Sequence, residues 1–288
     1  MRTILAIGTD WHGNHKSGLM NPEVILYEKD EEGTPKPYHP EPTLAQKKLW
    51  EYHTKDVAGI FDLADNCDVI FLYLGDPTHG TFRATNIVSS SLANQILIAL
   101  SNFEPMLMHG NLKAVRLGVG TEVHEIGEGS STILMADVIR RSFTELDIKP
   151  VYHGLYNIYG KRIDYAHHGP PPGNRTWLQG NVALYYLKDI MLRELEDGRE
   201  PPDVVLRGHY HEYVPVPWIV RKRGRDWFSQ LVICPSYFMF DDWTYRIMRS
   251  KAEHSIGMVA FEIEDGKISL PIPFVREIDQ RTKETYNG

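Results

Sequence analysis

The residues best suited to chemistry lie in Val204-Val205-Leu206-Arg207-Gly208-His209-Tyr210-His211, where an apolar run ends at a glycine and two histidines follow one residue apart. At a strand end the alternation of side chains sends His209 and His211 to the same side, so two imidazoles can converge on one point. Gly208 lets the backbone turn there without a Cβ clash. With 23 Gly and 13 His in 288 residues, chance yields roughly 0.05 occurrences of Gly-His-x-His. The string therefore needs partners, and four further blocks supply them: Asp10-Trp11-His12, Gly75-Asp76, Gly120-Thr121-Glu122-Val123-His124-Glu125 and Tyr165-Ala166-His167-His168. Carboxylates and imidazoles without thiolate suit Zn, Mn, Fe or Ni and argue against a structural zinc finger. The set exceeds what one tetrahedral ion needs, and two ions are the economical explanation.

Each block follows a segment that reads as a strand. Ile4 to Ile7, Val69 to Leu74, Lys113 to Val119, Ile163 to Ala166 and Val204 to Leu206 are short apolar runs of strand length. Between them lie helical patterns: one opened by Thr43-Leu44-Ala45-Gln46 with capping-box spacing, then Ala84 to Phe103, Thr132 to Leu146 and Trp177 to Leu195. The stretch from Gly13 to Pro42, with Gly33 and Pro35, Pro37, Pro40 and Pro42, reads as one long loop. From Tyr213 onward the chain reads as β, with strands at Val214 to Val220, Gln230 to Ile233, Gly257 to Glu262 and Ile268 to Pro273. Glu264-Asp265-Gly266 turns between the last two. Strands alternating with helices predict an α/β fold with a parallel or mixed sheet, whose active residues sit outside the strands' carboxyl ends. One domain over residues 1–278 and a polar tail over 279–288 are expected.

The order and spacing of the blocks resemble the calcineurin-like metallophosphoesterase superfamily, whose pattern runs D-x-H, G-D, G-N-H-[DE], H and G-H-x-H. The resemblance spans about residues 3 to 215 and implies a four-layer α/β/β/α sandwich of mixed sheets. It also implies that Asp10, His12 and His211 bind a first metal, that Asp76 bridges, and that His167 and His209 bind a second; between His167 and His168 the residue nearer the strand is favoured as ligand, the other being a solvent-facing neighbour. Two divalent ions about 3.5–4 Å apart lower the pKa of a bridging water for in-line attack at phosphorus and neutralise charge growing on the phosphoryl oxygens. His124 is the candidate to protonate the departing alkoxide.

Two departures from the pattern matter. The third block lacks the family's asparagine, a ligand of the second metal, and either Thr121 or Glu122 is its replacement. This Gly-Thr-x-x-His variant is similar to members carried by phages and prophages. After Gly75-Asp76, the block continues Pro77-Thr78-His79, where serine/threonine phosphatases of the superfamily carry aspartate. G-D-x-x-H is similar to exonucleases of double-strand-break repair, so His79 is read as meeting the substrate. The expected function is hydrolysis of phosphodiesters, on a nucleotide or nucleic acid, with two divalent ions, manganese favoured. A phosphomonoesterase or protein phosphatase, and a non-catalytic scaffold that kept the fold, are the alternatives.

Other residues carry less. Arg175 can grip a phosphate oxygen bidentately or anchor the loop before the Trp177 helix. Arg221-Lys222-Arg223-Gly224-Arg225 reads as a solvated hairpin tip, with a clamp for a polyanion as its alternative. The aromatic run from Tyr237 through Trp243 and Tyr245 either walls the cleft or packs the core. His15, His39, His53, His109, His153 and His254 read as surface or core residues. A net charge of −7 argues against broad adhesion to nucleic acid, which needs a cationic surface, and favours a small substrate. Cys67 and Cys234 form no ligand-like pair and fit a reducing compartment. The N-terminal apolar run is too short for a signal peptide, and no run reaches the roughly 18 apolar residues of a membrane span. A cytoplasmic protein without membrane partners is expected.

Overall fold

A computed structural model of the chain describes all residues except 82–85, 128, 174, 223, 242–243, 246–252 and 286–288. The first strands form where apolar runs are short and two-sided. β1 (Arg2–Gly8), β4 (Asp68–Tyr73), β5 (Leu112–Gly118) and β6 (Asp147–Val151) lie parallel and adjacent in one sheet. β12 (Glu253–Glu264) closes its other side antiparallel to β1 and carries β13 (Lys267–Ile268) and β14 (Ile272–Asp279). A second sheet runs β10 (Val214–Lys222), β11 (Arg225–Ile233), β9 (Val204–Arg207), β8 (Lys161–Ala166), β7 (His153–Ile158). Within it β8, β9 and β11 are parallel, whereas β7 and β10 pair antiparallel at its edges. Both large sheets are thus mixed.

The period-2 rule divides the strand residues between layers. Ile4 and Ala6 of β1, with Val69, Phe71 and Tyr73 of β4, join a core under α1 (Leu44–Ala64), α2 (Leu92–Leu107) and α3 (Ser130–Ser142). The alternate residues Leu5, Ile7 and Leu72 face the other way and meet Ile163, Val204, Leu206 and Val232 of the second sheet. On that sheet's outer face Val205, Leu231 and Ile233 pack against Ala183, Leu187 and Met191, one stripe of α4 (Asn181–Glu196). The layers are therefore helix, sheet, sheet, helix. Burying each such aliphatic side chain stabilises the fold by about 1.5–3 kcal/mol relative to exposure.

Local signals hold where they were strongest. Thr43 and Gln46 make both capping-box bonds at the start of α1. Asp265 and Gly266 take positive φ (50° and 71°) between β12 and β13, as a two-residue hairpin requires. The segment expected as one last strand over Ile268 to Pro273 is instead split between β13 and β14, and β14 runs into the start of the expected tail.

Other expectations need correction. The loop predicted from Gly13 to Pro42 contains a hairpin, β2 (Leu26–Lys29) with β3 (Pro35–Tyr38). Pro35 and Pro37 concealed it, because proline is tolerated on an isolated edge strand that owes no further ladder bond. Leu26 joins Met20, Val24 and Ile98 in a small core that seats the hairpin on α2. That helix begins at Leu92, capped by Ser91, rather than at Ala84, a residue outside those described. The helix expected from Trp177 is broken at Gly180 (φ +81°): Thr176–Leu178 forms a 3-10 turn and α4 follows. β6 and β7 were not anticipated. Among the described residues no helix is long and apolar enough to cross a membrane.

Candidate metal centre

The five sequence blocks leave the carboxyl ends of β1, β4, β5, β8 and β9, and face-to-face packing of the sheets brings these ends to one rim. Backbone bonds lock the loops to one another. Asp10 N–H donates to Gly75 O (2.9 Å), His12 N–H to Asp76 O (3.1 Å) and Gly208 N–H to His167 O (2.9 Å). Trp11 turns the opposite way from its neighbours, fully buried against Tyr73 and Phe103, and so anchors Asp10 and His12 on either side. Ten described non-glycine residues have positive φ, and five of them are Asp10, His12, Asp76, His209 and His211. Left-handed backbone is disfavoured for residues with a Cβ, and its concentration here marks a rim whose loops are over-determined by their contacts.

The side chains form four overlapping groups of three, within each of which the ligand atoms lie within 4.8 Å of one another: Asp10, His12 and His211; Asp10, Asp76 and His167; His167, His168 and His209; His12, His79 and His124. Asp10 Oδ1 is 3.2 Å from His211 Nε2, 3.8 Å from His12 Nε2 and 3.9 Å from His167 Nε2. It is buried and accepts no hydrogen bond from any described residue. Its partner Oδ2 accepts the N–H of His209 (2.9 Å) and the hydroxyl of Thr9. Asp76 Oδ2 lies 3.2 Å from His167 Nε2, and Oδ1 accepts the N–H of Thr121 at 2.6 Å. The loops approach so closely that a Cβ on Gly120 would fall 1.9 Å from Asp76 Oδ1, and one on Gly208 would fall 2.4 Å from Thr9 Oγ1.

Charge within the cluster is distributed unevenly. Burial pushes the Asp10 carboxyl up, but His167 and His211 overcome it and hold the group below the usual carboxylate range. Asp76 is likewise raised by burial and held low by His167. Burial lowers His167, yet Asp76 and Asp10 lift it to about 9. Burial and neighbouring imidazoles push His12 well down, and burial takes His209 to about 4. His12 and His209 are therefore neutral near pH 7, the form whose nitrogen lone pair a metal requires.

Of the two residues weighed for the third block, Thr121 stands among the imidazoles, its Oγ1 3.2 Å from His167 Nε2 and 3.3 Å from His209 Nδ1. Glu122 is exposed and belongs to none of the four groups. The reason is a brace that sequence reasoning missed. Buried Glu125 accepts Gly120 N–H (2.8 Å), Thr132 N–H (3.1 Å) and the hydroxyls of Ser131 and Thr132 (both 2.7 Å), folding the block into a tight turn that leaves Glu122 outside. The Nδ1–H of His124 donates to His79 O at 2.7 Å. A carbonyl can only accept, so His124 presents Nε2 away from this bond. His79 is buried, its ring 5.0 Å from that of His124 and 4.5 Å from that of His15.

His15 was missed as a neighbour of the site. The Phe238 ring lies 5.0 Å from His12, 4.9 Å from His15 and 5.5 Å from His211, so this residue of the aromatic run walls the cluster. Arg175 is exposed, its guanidinium over the likewise exposed Trp177 ring at 5.8 Å. In the basic run, Arg221 faces Asp226, Lys222 faces Glu196 and Arg225 faces Glu200, so each described cation of this tip has a carboxylate beside it. Arg223, Asn174 and Trp243 lie outside the described residues. A cavity of about 520 Å³ opens beside His167 and His168, with Val119, Glu122, Tyr152 and His153 on its walls.

No family model and no curated protein matches the sequence. Among solved structures the chain is similar to a protein of unknown function from Aquifex aeolicus (15% identity, TM-score 0.33, covering 73% of this chain and 80% of that one). It is also similar to a metallophosphoesterase from Sphaerobacter thermophilus (10% identity, TM-score 0.32, covering 98% of this chain and 90% of that one).

Proposed function

We propose that this chain is a metal-dependent phosphoesterase acting on phosphodiesters of nucleotide type. The observation that carries the reading is the chain of shared ligands. Asp10 belongs to two of the groups, and His167 belongs to two, so donors from both sheets run continuously from His12 and His211 through Asp10 and Asp76 to His209. The donor set fits divalent cations: the buried Asp10 Oδ1 lacks a hydrogen-bond donor among the described residues, burial and neighbouring imidazoles keep His12 neutral, and His167, which Asp76 and Asp10 lift to about 9, would give up its proton to an ion. Asp10, His12 and His211 would hold one ion, His167 and His209 a second, and Asp76 both. Mn²⁺, Zn²⁺, Fe²⁺ and Ni²⁺ all suit such mixed nitrogen and oxygen ligands. When bound, two such ions acidify water and offset the negative charge that grows on a phosphoryl group.

The chain's own residues supply the rest. His124 holds its Nδ1 proton on His79 O, so a second proton taken at Nε2 is the one it can give to a departing alkoxide. His79, buried behind that bond, fixes the ring's orientation. Phe238 excludes water from one side of His12 and His211. The cavity beside His167 and His168 is of a size to take a nucleotide, and the net charge of −7 favours a small substrate over a long polyanion.

Hydrolysis of bis(p-nitrophenyl) phosphate, p-nitrophenyl phosphate and single-stranded DNA, each with added Mn²⁺, tests the reading. The diester should be the better small substrate, and chelator should abolish turnover. Preference for the monoester would overturn the diesterase reading, and absence of any metal-dependent hydrolysis would overturn the enzyme.

A further inference from the structure

The set that would hold a second ion has a weak point, because the loop after β5 brings only the neutral hydroxyl of Thr121 beside His167 and His209. We propose that His168 fills the deficit, so that the second ion is held by three imidazoles, His167, His168 and His209, together with Asp76. This rests on the metal-centre reading above and assigns a ligand within it.

The three rings stand at the corners of a nearly equilateral triangle, with centroids 4.9 Å apart for His167 and His168, 4.7 Å for His168 and His209 and 5.2 Å for His167 and His209. Their ligand nitrogens lie within 4.8 Å of one another, close enough to close on one ion. They meet at interplanar angles of 78°, 63° and 74°, so the three rings converge without any pair lying parallel. Backbone geometry permits the pair: β8 ends at Ala166 and the chain bends at His167, so consecutive side chains are freed from strand alternation. His168 is exposed and lines the cavity beside His167, so it approaches the ion from the solvent side without displacing a packed residue.

Thr121 is the poorer ligand by chemistry. Its Oγ1 sits at hydrogen-bond distance from nitrogens of His167 and His209, where it can orient both rings. Glu122 stands outside the groups. A site of three imidazoles favours borderline ions such as Zn²⁺ or Co²⁺ over Mg²⁺, which prefers oxygen.

The experiment is Co²⁺ titration of the chelator-stripped full chain, read by metal content and by the visible absorption of the bound ion. Wild type should bind two ions per chain. His168→Ala should keep the first and bind the second at least about tenfold more weakly, with a changed absorption band. Thr121→Ala, which removes a hydroxyl beside two of the rings, should weaken the second ion less than His168→Ala does. His168→Gln, which keeps the side chain's bulk, should behave as His168→Ala, and melting of the stripped proteins should show all variants folded. Two ions bound by His168→Ala with wild-type affinity would overturn the assignment while leaving the metal centre intact. A larger loss in Thr121→Ala than in His168→Ala would overturn it as well. Less than one ion bound by wild type would remove the metal-centre reading itself and His168 with it.

Discussion

Asp76→Asn is the most incisive perturbation of this centre, because it removes one charge and almost no volume. In the structure Oδ1 accepts the Thr121 N–H at 2.6 Å, a bond that an amide oxygen can keep, so the loop after β5 should stay in place. What goes is the negative charge 3.2 Å from His167 Nε2, on the carboxylate proposed to serve both ions. For a wild-type dissociation constant on the order of 1 µM, 1 mM Mn²⁺ stabilises the fold by about 4 kcal/mol per site. The unfolding entropy of a 288-residue chain is about 0.6 kcal/mol/K, so that gain raises Tm by about 7 °C. A hundredfold loss of affinity leaves about 1.4 kcal/mol, or roughly 2 °C. Differential scanning fluorimetry in chelator and in 1 mM Mn²⁺, with metal analysis and far-UV circular dichroism, reads all of this. The reasoning is refuted if Asp76→Asn keeps two ions per chain and the full metal-dependent rise in Tm.

Three further outcomes are expected. His124→Ala should lower turnover of bis(p-nitrophenyl) phosphate by about 10²–10⁴-fold with metal content unchanged; loss of an ion would show that His124 is a ligand instead. Glu125→Gln should cost about 3 kcal/mol in urea unfolding, because an NH₂ group replaces an acceptor facing four donors. A cost below about 1 kcal/mol would remove Glu125 as the brace of its loop. His53 is fully buried on Trp11, and burial lowers its pKa to about 3, so it is neutral when folded. Its contribution is present above pH about 6.5 and drains as pH falls toward 3, at about 1.4 kcal/mol per pH unit. In chelator, His53→Gln should therefore lose stability less steeply than wild type between pH 6 and 4, and parallel curves would contradict this.

Much of the architecture is written in local pattern. The alternation in Ile4-Leu5-Ala6-Ile7 already assigns two residues to each face, and the structure places Ile4 and Ala6 under the helices, Leu5 and Ile7 between the sheets. The Thr43 cap and the Asp265-Gly266 turn form as their spacing requires, because both depend on neighbours within a few residues. The hairpin of β2 and β3 was illegible for the opposite reason: its prolines break the strand pattern, and its stability comes from seating Leu26 against α2.

The sequence alone determined which residue types follow which strands, since strand length and side-chain alternation are short-range properties of the chain. That placed Asp10, His12, Asp76, His167, His209 and His211 at strand ends before any fold was known. Tertiary structure decided everything that depends on which loop touches which. It put Thr121 rather than Glu122 among the imidazoles, because Glu125 gathers donors from the start of α3 and turns the loop. It brought His168 beside His209 and Phe238 against His12, contacts between residues more than forty and two hundred positions apart. No local propensity encodes such contacts; they exist because two sheets pack face to face and their carboxyl ends share one rim.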